Sequence, residues 1–269
     1  MEDIIILIAI VGILALLAGF IFYRASKMIP YVHSSAKMSA WEANLISESR
    51  LDELAESPQP KQVLTVLEDT EYQPYVSELS LDKGVETDEV ERALNSYTRD
   101  RYHELLDIVP EERRETVEKI IGSIDLQNLK GIVVGLSRGV SEEELNKFIL
   151  YSPTFSEERL EMLTSAESIE RLLEYLEDSE YYESFVEAYE ERYEEEGVSP
   201  LLRALDKAYY EGLWEKIEEK KAQKSVLEDI VGTKLDLMNI KLMFRLKKEE
   251  VPPEEITEFT VPTYRISED

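Results

Sequence analysis

The sequence predicts an all-α protein, one apolar N-terminal helix followed by tandem helical units. Three observations predict it. Ile4 to Phe22 runs for nineteen residues without a charge. Beyond it, apolar residues recur at three-and-four spacing, and no stretch alternates as a strand would. Long blocks of the chain are also written twice, the mark of a repeat architecture.

The first element is read from length and flanks. Nineteen uncharged residues reach the roughly 20 that a membrane-spanning helix needs. Glu2 and Asp3 precede the run, and Arg24, Lys27 and Lys37 come after it, so the positive-inside rule puts the rest of the chain in the cytoplasm. A secretory signal would open with basic residues, and a buried core helix would keep a polar face. Residues 1–30 are therefore expected to be a transmembrane anchor touching lipid through 4–22, with Tyr23 to Pro30 as a juxtamembrane linker.

The repeat orders the rest of the chain. RLDELAESPQPKQVLTVLEDTEY, Arg50 to Tyr72, is answered without a gap by RLEMLTSAESIERLLEYLEDSEY, Arg159 to Tyr181, 109 positions later. SIDLQNLKGIVV, from Ser123, is answered by KLDLMNIKLMFR, from Lys234, 111 positions later. Arg92, Ala93, Leu94 and Phe148 match Arg203, Ala204, Leu205 and Phe259 at that second spacing. ISES at Ile46, FSEE at Phe155 and ISED at Ile266 hold equivalent places. The expected units are 31–157 and 158–265, with 266–269 as the start of a third. Residues 47–157 and 156–268 are expected to superpose, with Asp125 and Asp236 beginning equivalent helices.

Local signals fill in the helices. Leu160, Leu163, Ile169, Leu172, Leu173 and Leu176 make one stripe, and Tyr182, Phe185, Tyr189 and Tyr193 another. Pro110 with Glu111 and Glu112 opens a helix that Gly122 is placed to end. Gly197 ends the glutamate-rich helix, and Ser199-Pro200 starts the next. In the motif D-L-x-N-[LI]-K, Asp125 and Asp236 read as N-caps, and the two apolar residues of each copy as core. Asn128, Asn239, Lys130 and Lys241 are expected to face outward or bridge to a neighbouring helix.

Composition and motifs exclude several chemistries. A net charge of −28 leaves no electrostatic case for nucleic acid, and an anionic lipid surface would repel the chain unless it were anchored. No cysteine is present, so disulfides and thiolate metal sites are absent. GLSRG, Gly135 to Gly139, fits the pattern of a hydrolase nucleophile, but Ser137 has no histidine after it, and the second copy reads LKKEE there. Gly131, Gly135 and Gly139 do not make a Walker loop. The glutamates from Glu183 to Glu196 read as a solvated face rather than a cation site. His33 and His103 show no ligand spacing. No catalytic, cofactor-binding or metal residues are expected.

Repeated helical units carrying D-x-x-N-[LI]-K, at Asp125 to Lys130 and Asp236 to Lys241, resemble the C subunit of archaeal-type rotary ATP synthases, related to the d subunit of eukaryotic V-ATPases. YVHSSAKMSAWEANLISESRLDELAES, Tyr31 to Ser57, is similar to that family's opening helices. VPPEEITEFTVPTYRISED resembles its passage into a third unit. The resemblance implies three helical units in a funnel-like, non-catalytic socket. Its partners would be the proteolipid rotor ring and the central shaft subunits, and the chain alone would not hydrolyse ATP. With such a socket centred on the ring and only Tyr23 to Pro30 between the span and the soluble part, the anchor is expected on the rotor axis, inside the ring. The chain departs from the family in its membrane span and in stopping at Asp269, which leaves open a fragment, a split chain or a two-unit variant. The competing reading is a membrane-anchored helical-repeat adaptor for an unrelated soluble partner.

Overall fold

The computed structural model describes residues 2–57, 59–77, 79, 87–150, 152, 154–219, 226–248, 251–252, 256 and 259–266. Among them the chain forms thirteen α-helices and no strand, the all-α architecture its periodicity predicts. Two compact units divide between Arg114 and Glu115.

The first unit begins with α1, Glu2–Ala43, a helix of 42 residues. The stretch Tyr23 to Pro30, expected as a linker, is helical. Pro30 lies inside the helix, and Ser34 one turn on donates to its carbonyl at 2.7 Å. α2 (Glu48–Glu56), α3 (Pro60–Glu68), α4 (Gln73–Val76) and α5 (Thr87–Ile108) come next. Leu64, Leu67, Val76, Val90 and Ala93 form their small core. The C-terminal part of α1 packs on α5, where buried Ser34 donates to the Ile108 carbonyl. Tyr72 and Tyr97 lie 4.0 Å apart between ring centroids.

The chain passes into the second unit along α6, Glu111–Ile121. There α7 (Ser123–Ser137), α8 (Glu142–Phe148), α9 (Glu157–Thr164) and α10 (Ile169–Leu176) precede the pair α11 (Tyr182–Glu196) and α12 (Ser199–Glu219), and α13 (Val226–Lys248) closes the series. Gly197, at φ 69°, makes the turn between α11 and α12 in a left-handed conformation that favours glycine. Ser156 and Ser168 cap α9 and α10 by accepting from the amides of Arg159 and Arg171, each at 3.2 Å. α12 lies against both α7 and α13. Leu129, Ile132, Leu163, Leu172, Leu176, Phe185, Leu201 and Leu205 are fully enclosed in the core around it.

The duplicated sequence is duplicated structure at the level of helix starts. Glu48, Pro60 and Gln73 begin α2, α3 and α4, and Glu157, Ile169 and Tyr182, each 109 positions later, begin α9, α10 and α11. The twin phrases LEDTEY and LEDSEY are helix stops. Thr70 donates to the Leu67 carbonyl at 2.6 Å, and Ser179 to the Leu176 carbonyl at 2.7 Å, closing α3 and α10 on orphan carbonyls. Among the described residues the copies differ at one joint. The first breaks into α6 and α7 at Gly122, whereas the second runs through as α13, with Thr233 at the matching place.

Packing and repetition cut the chain differently. The repeat runs through Arg114, yet from Glu115 onward the first copy packs with the second. The reason is α7, whose leucines and valine are covered by α9, α10 and α12.

Candidate functional site

The D-L-x-N-[LI]-K motif places two buried polar anchors on α7 and α13. Each holds a strap, the irregular stretch of chain that leaves its unit. Asn128 and Asn239 are 3% and 1% exposed, so neither faces outward as expected. Each works as a two-way clamp. The Asn128 amide donates to the Leu150 carbonyl and its oxygen accepts from the Leu150 amide, both at 2.8 Å. Asn239 makes the same pair with Val261, both at 2.9 Å. The separation along the chain is 22 residues in each copy.

The aspartates act alongside. They do not cap their own helices: Asp125 lies in the first turn of α7 behind Ser123, and Asp236 lies ten residues into α13. Asp125 instead accepts from the hydroxyls of Ser152 and Thr154. Asp236 accepts from the backbone amides of Tyr264 and Arg265, both at 2.8 Å. Irregular backbone carries amides and carbonyls that no helix satisfies, and a buried one left unpaired is costly. Asp and Asn therefore serve the strap, and fix where it leaves its unit. In the first copy that segment delivers Ser156 to its capping position on α9. In the second, Ile266 alone of 266–269 is described, so the expected opening of a third unit lies outside the described residues.

Burial raises the Asp125 carboxyl above the ordinary aspartate range, and its hydrogen bonds from Ser152 and Thr154 only partly offset that. Lys130 bridges to α12 as expected, donating to both carboxylate oxygens of Asp206 at 2.8 and 2.7 Å. Leu126 and Leu129 enter the core, but their counterparts Leu237 and Ile240 are exposed, a correction to the second copy.

Further contacts hold the second strap. Phe259 lies under two guanidiniums, Arg192 at 4.7 Å and Arg203 at 4.5 Å, in a cleft of about 450 Å³ between α11 and α12. Glu196 accepts from Arg203 at 2.8 Å. Tyr264 packs edge-on against Trp214 at 5.6 Å and donates to Asp229 at 2.5 Å. Its ring occupies the space a side chain on Gly232 would need, the nearest ring carbon standing 2.3 Å from where a Cβ would be. Sequence reasoning missed Leu150, Ser152, Thr154, Asp206, Val261 and Tyr264. The repeat signals near them were the Phe148–Phe259 match, the FSEE and ISED phrases at Phe155 and Ile266, and Arg203-Ala204-Leu205 beside Asp206.

GLSRG is a helix end. Val140 donates to the Gly135 carbonyl at 2.9 Å and Gly139 to Leu136 at 3.1 Å, with Gly139 at φ 67°. Ser137 donates to the Val134 carbonyl at 2.7 Å, and no strand leads into it. This arrangement makes a turn and no nucleophile elbow.

α1 is the other candidate. It is one helix long and apolar enough, by length and composition, to cross a membrane. Leu16 and Phe22 are 77% and 76% exposed. At the end of the apolar run, Arg24 sits 5.5 Å from the Phe20 ring and Lys27 5.1 Å from that of Tyr23, a basic-aromatic boundary of the kind found at membrane interfaces. At ~1.5 Å per residue the helix is about 63 Å long, roughly twice a ~30 Å hydrocarbon core. The helix therefore continues from its apolar stretch into the first unit, where Ser34 is fastened to α5.

Comparison with known proteins bears on both features. The family model described as ATP synthase (C/AC39) subunit matches residues 34–269. The A-type ATP synthase C subunit of Methanocaldococcus jannaschii is 26% identical over 236 residues, covering 88% of this chain and 59% of that protein. The Methanosphaera stadtmanae protein of that name is 24% identical, covering 96% and 64%. That of Thermococcus onnurineus is 25% identical, covering 94% and 69%. The chain thus spans about three fifths to two thirds of the length of these relatives.

Proposed function

Because the chain belongs to the ATP synthase (C/AC39) subunit family, we propose that it is a non-catalytic central-stalk subunit. It couples the membrane rotor ring to the rotating shaft of an archaeal-type ATP synthase. The observation that carries this reading is the family match over 34–269, which takes in both straps. The work of such a part is mechanical, and the structure offers means for it. Torque passes between helical units only if their junctions are stiff. Each junction here is a buried clamp of amide, carboxylate and backbone rather than a free linker.

The reading extends to the anchor. α1 holds the chain to the membrane through residues 4–22, with the helical units on the cytoplasmic side. Tyr23 to Pro30 as helix reaches only about 12 Å at ~1.5 Å per residue, less than half its extended reach. A turning socket on so short and stiff a tether would drag an anchor placed outside the ring through static lipid. The apolar run therefore lies on the axis, among lipid inside the ring. Its lack of polar side chains suits a site that offers none.

Affinity purification of the intact chain from native membranes in mild detergent tests the reading. A small proteolipid and the catalytic subunits are expected to co-isolate, and a photo-cross-linker at Leu14 is expected to reach the proteolipid. Isolation with an unrelated soluble protein alone would replace the coupling role with that of an adaptor. Cross-links confined to stator subunits would place the anchor elsewhere.

A further inference from the structure

The repeat makes one cleft twice, and the two differ in how their charges are met. In the first unit Ile46, Arg50, Asp69 and Glu71 line a cleft of about 440 Å³. In the second unit their counterparts 109 positions on, Phe155, Arg159, Asp178 and Glu180, line one of about 570 Å³ at the LEDSEY stop of α10. The first cleft answers its own charges. Arg50 pairs with Asp69 at 3.7 Å and donates to the Val66 carbonyl at 3.3 Å, and Glu71 accepts from Asn44 at 2.7 Å and from Tyr97 at 3.1 Å. The second cleft keeps the equivalent pair apart. Arg159 and Asp178 both stand in its wall, yet among the described residues neither makes an ion pair.

A second group in this cleft is unmet. Tyr181 is 3% exposed and lines the cleft, and its hydroxyl makes no hydrogen bond among the described residues. A buried tyrosine ordinarily finds a partner for its hydroxyl. Burial, with Glu180 and Asp125 nearby, pushes its pKa well above the ordinary tyrosine value, so the hydroxyl stays a donor. The two lysines of the wall are already engaged. Lys119 donates to Glu180, and Lys216 to Glu219 at 3.1 Å. Glu115 and Glu118 join Asp178 as wall acids without an ion pair among the described residues. We propose that this cleft binds a small zwitterion with carboxylate and ammonium a few bonds apart, the chemistry of a free amino acid. Its carboxylate takes the guanidinium of Arg159, which is shaped for a two-oxygen partner, with the Tyr181 hydroxyl as a further donor. Its ammonium takes Asp178, and the rings of Phe155 and Tyr209 flank its side chain. The ligand thus supplies to each charge what Arg50 and Asp69 supply to one another. A phosphate or a dicarboxylate would bring its extra charge against three carboxylates.

This inference rests on the cleft and not on the coupling role, so it stands or falls separately from the identity of the complex. The test screens the common free amino acids against the full chain in detergent by saturation-transfer NMR, and measures each hit by titration calorimetry. At least one is expected to bind. Its N-acetyl derivative, which lacks the ammonium, and its methyl ester, which lacks the carboxylate, are each expected to bind about ten-fold more weakly or worse. Arg159→Gln and Asp178→Asn should each weaken the amino acid by a similar factor, and Tyr181→Phe by several-fold. Asp178 is exposed, so Asp178→Asn should leave helicity by circular dichroism unchanged and keeps the test clear of misfolding. Failure of every amino acid to bind, with or without binding of inorganic phosphate, would overturn the proposal. So would equal binding of the N-acetyl derivative and the ester, or affinity indifferent to Asp178→Asn.

Discussion

The two straps are built to one plan with different materials. In the first, Asn128 clamps Leu150 and Asp125 takes two side-chain hydroxyls, those of Ser152 and Thr154. In the second, Asn239 clamps Val261 in the same way, but Asp236 takes two backbone amides, and Tyr264 is fixed besides by Asp229, Trp214 and the bare backbone of Gly232. The asparagine clamp is thus the common part, since it alone satisfies both an N–H and a C=O of one residue. The aspartate is a general acceptor whose donors are free to differ. What the difference teaches is that the motif specifies where a strap is held and leaves open what the strap is made of.

The largest expected effect would break the common part. Asn128→Ala strands the part-buried amide and carbonyl of Leu150, and Asn239→Ala the buried pair of Val261, at a cost of about 2–4 kcal/mol each. Hydrogen exchange at Leu150 and at Val261 should accelerate to a similar extent in the respective variants. Unequal losses would mean that the clamps are not equivalent.

Gly232→Ala sharpens the contrast, because it should act on the second strap alone. The added methyl meets the Tyr264 ring, at a cost of about 1–3 kcal/mol. Amides of Val261 and Tyr264 should lose protection while Leu150 keeps its own. Loss at Leu150 would show that the straps are coupled.

The smallest effect is one of pH. The raised pKa of Asp125 means that the folded chain holds this proton to higher pH than the unfolded chain does. Its contribution to stability therefore falls as pH rises from about 4, the ordinary aspartate value, through the raised folded value. Urea unfolding of the wild type and of Asp125→Asn, compared between about pH 4 and pH 7, should show the wild type losing ground to the variant as pH rises. A gain would mean that hydrogen bonding to the carboxylate outweighs its burial.

The sequence by itself determined the helices, their repetition and the apolar span. These depend on local spacing: leucines three and four apart, serines at helix starts, glycines in left-handed turns. The equal helix starts 109 positions apart were legible because the same local signals were written twice. The candidate site was legible only as a motif. Asp125 and Asp236 lie near enough to glycines and helix-forming runs to look like caps, and nothing local says that their partners stand nearly thirty residues on. Nor does periodicity distinguish α7 from α13, since both carry apolar residues at the same places. Burial belongs to a pair of surfaces and not to one helix. Tertiary structure therefore decided that Leu129 is core and Ile240 is surface, because α12 packs across the one and the described chain offers nothing to the other.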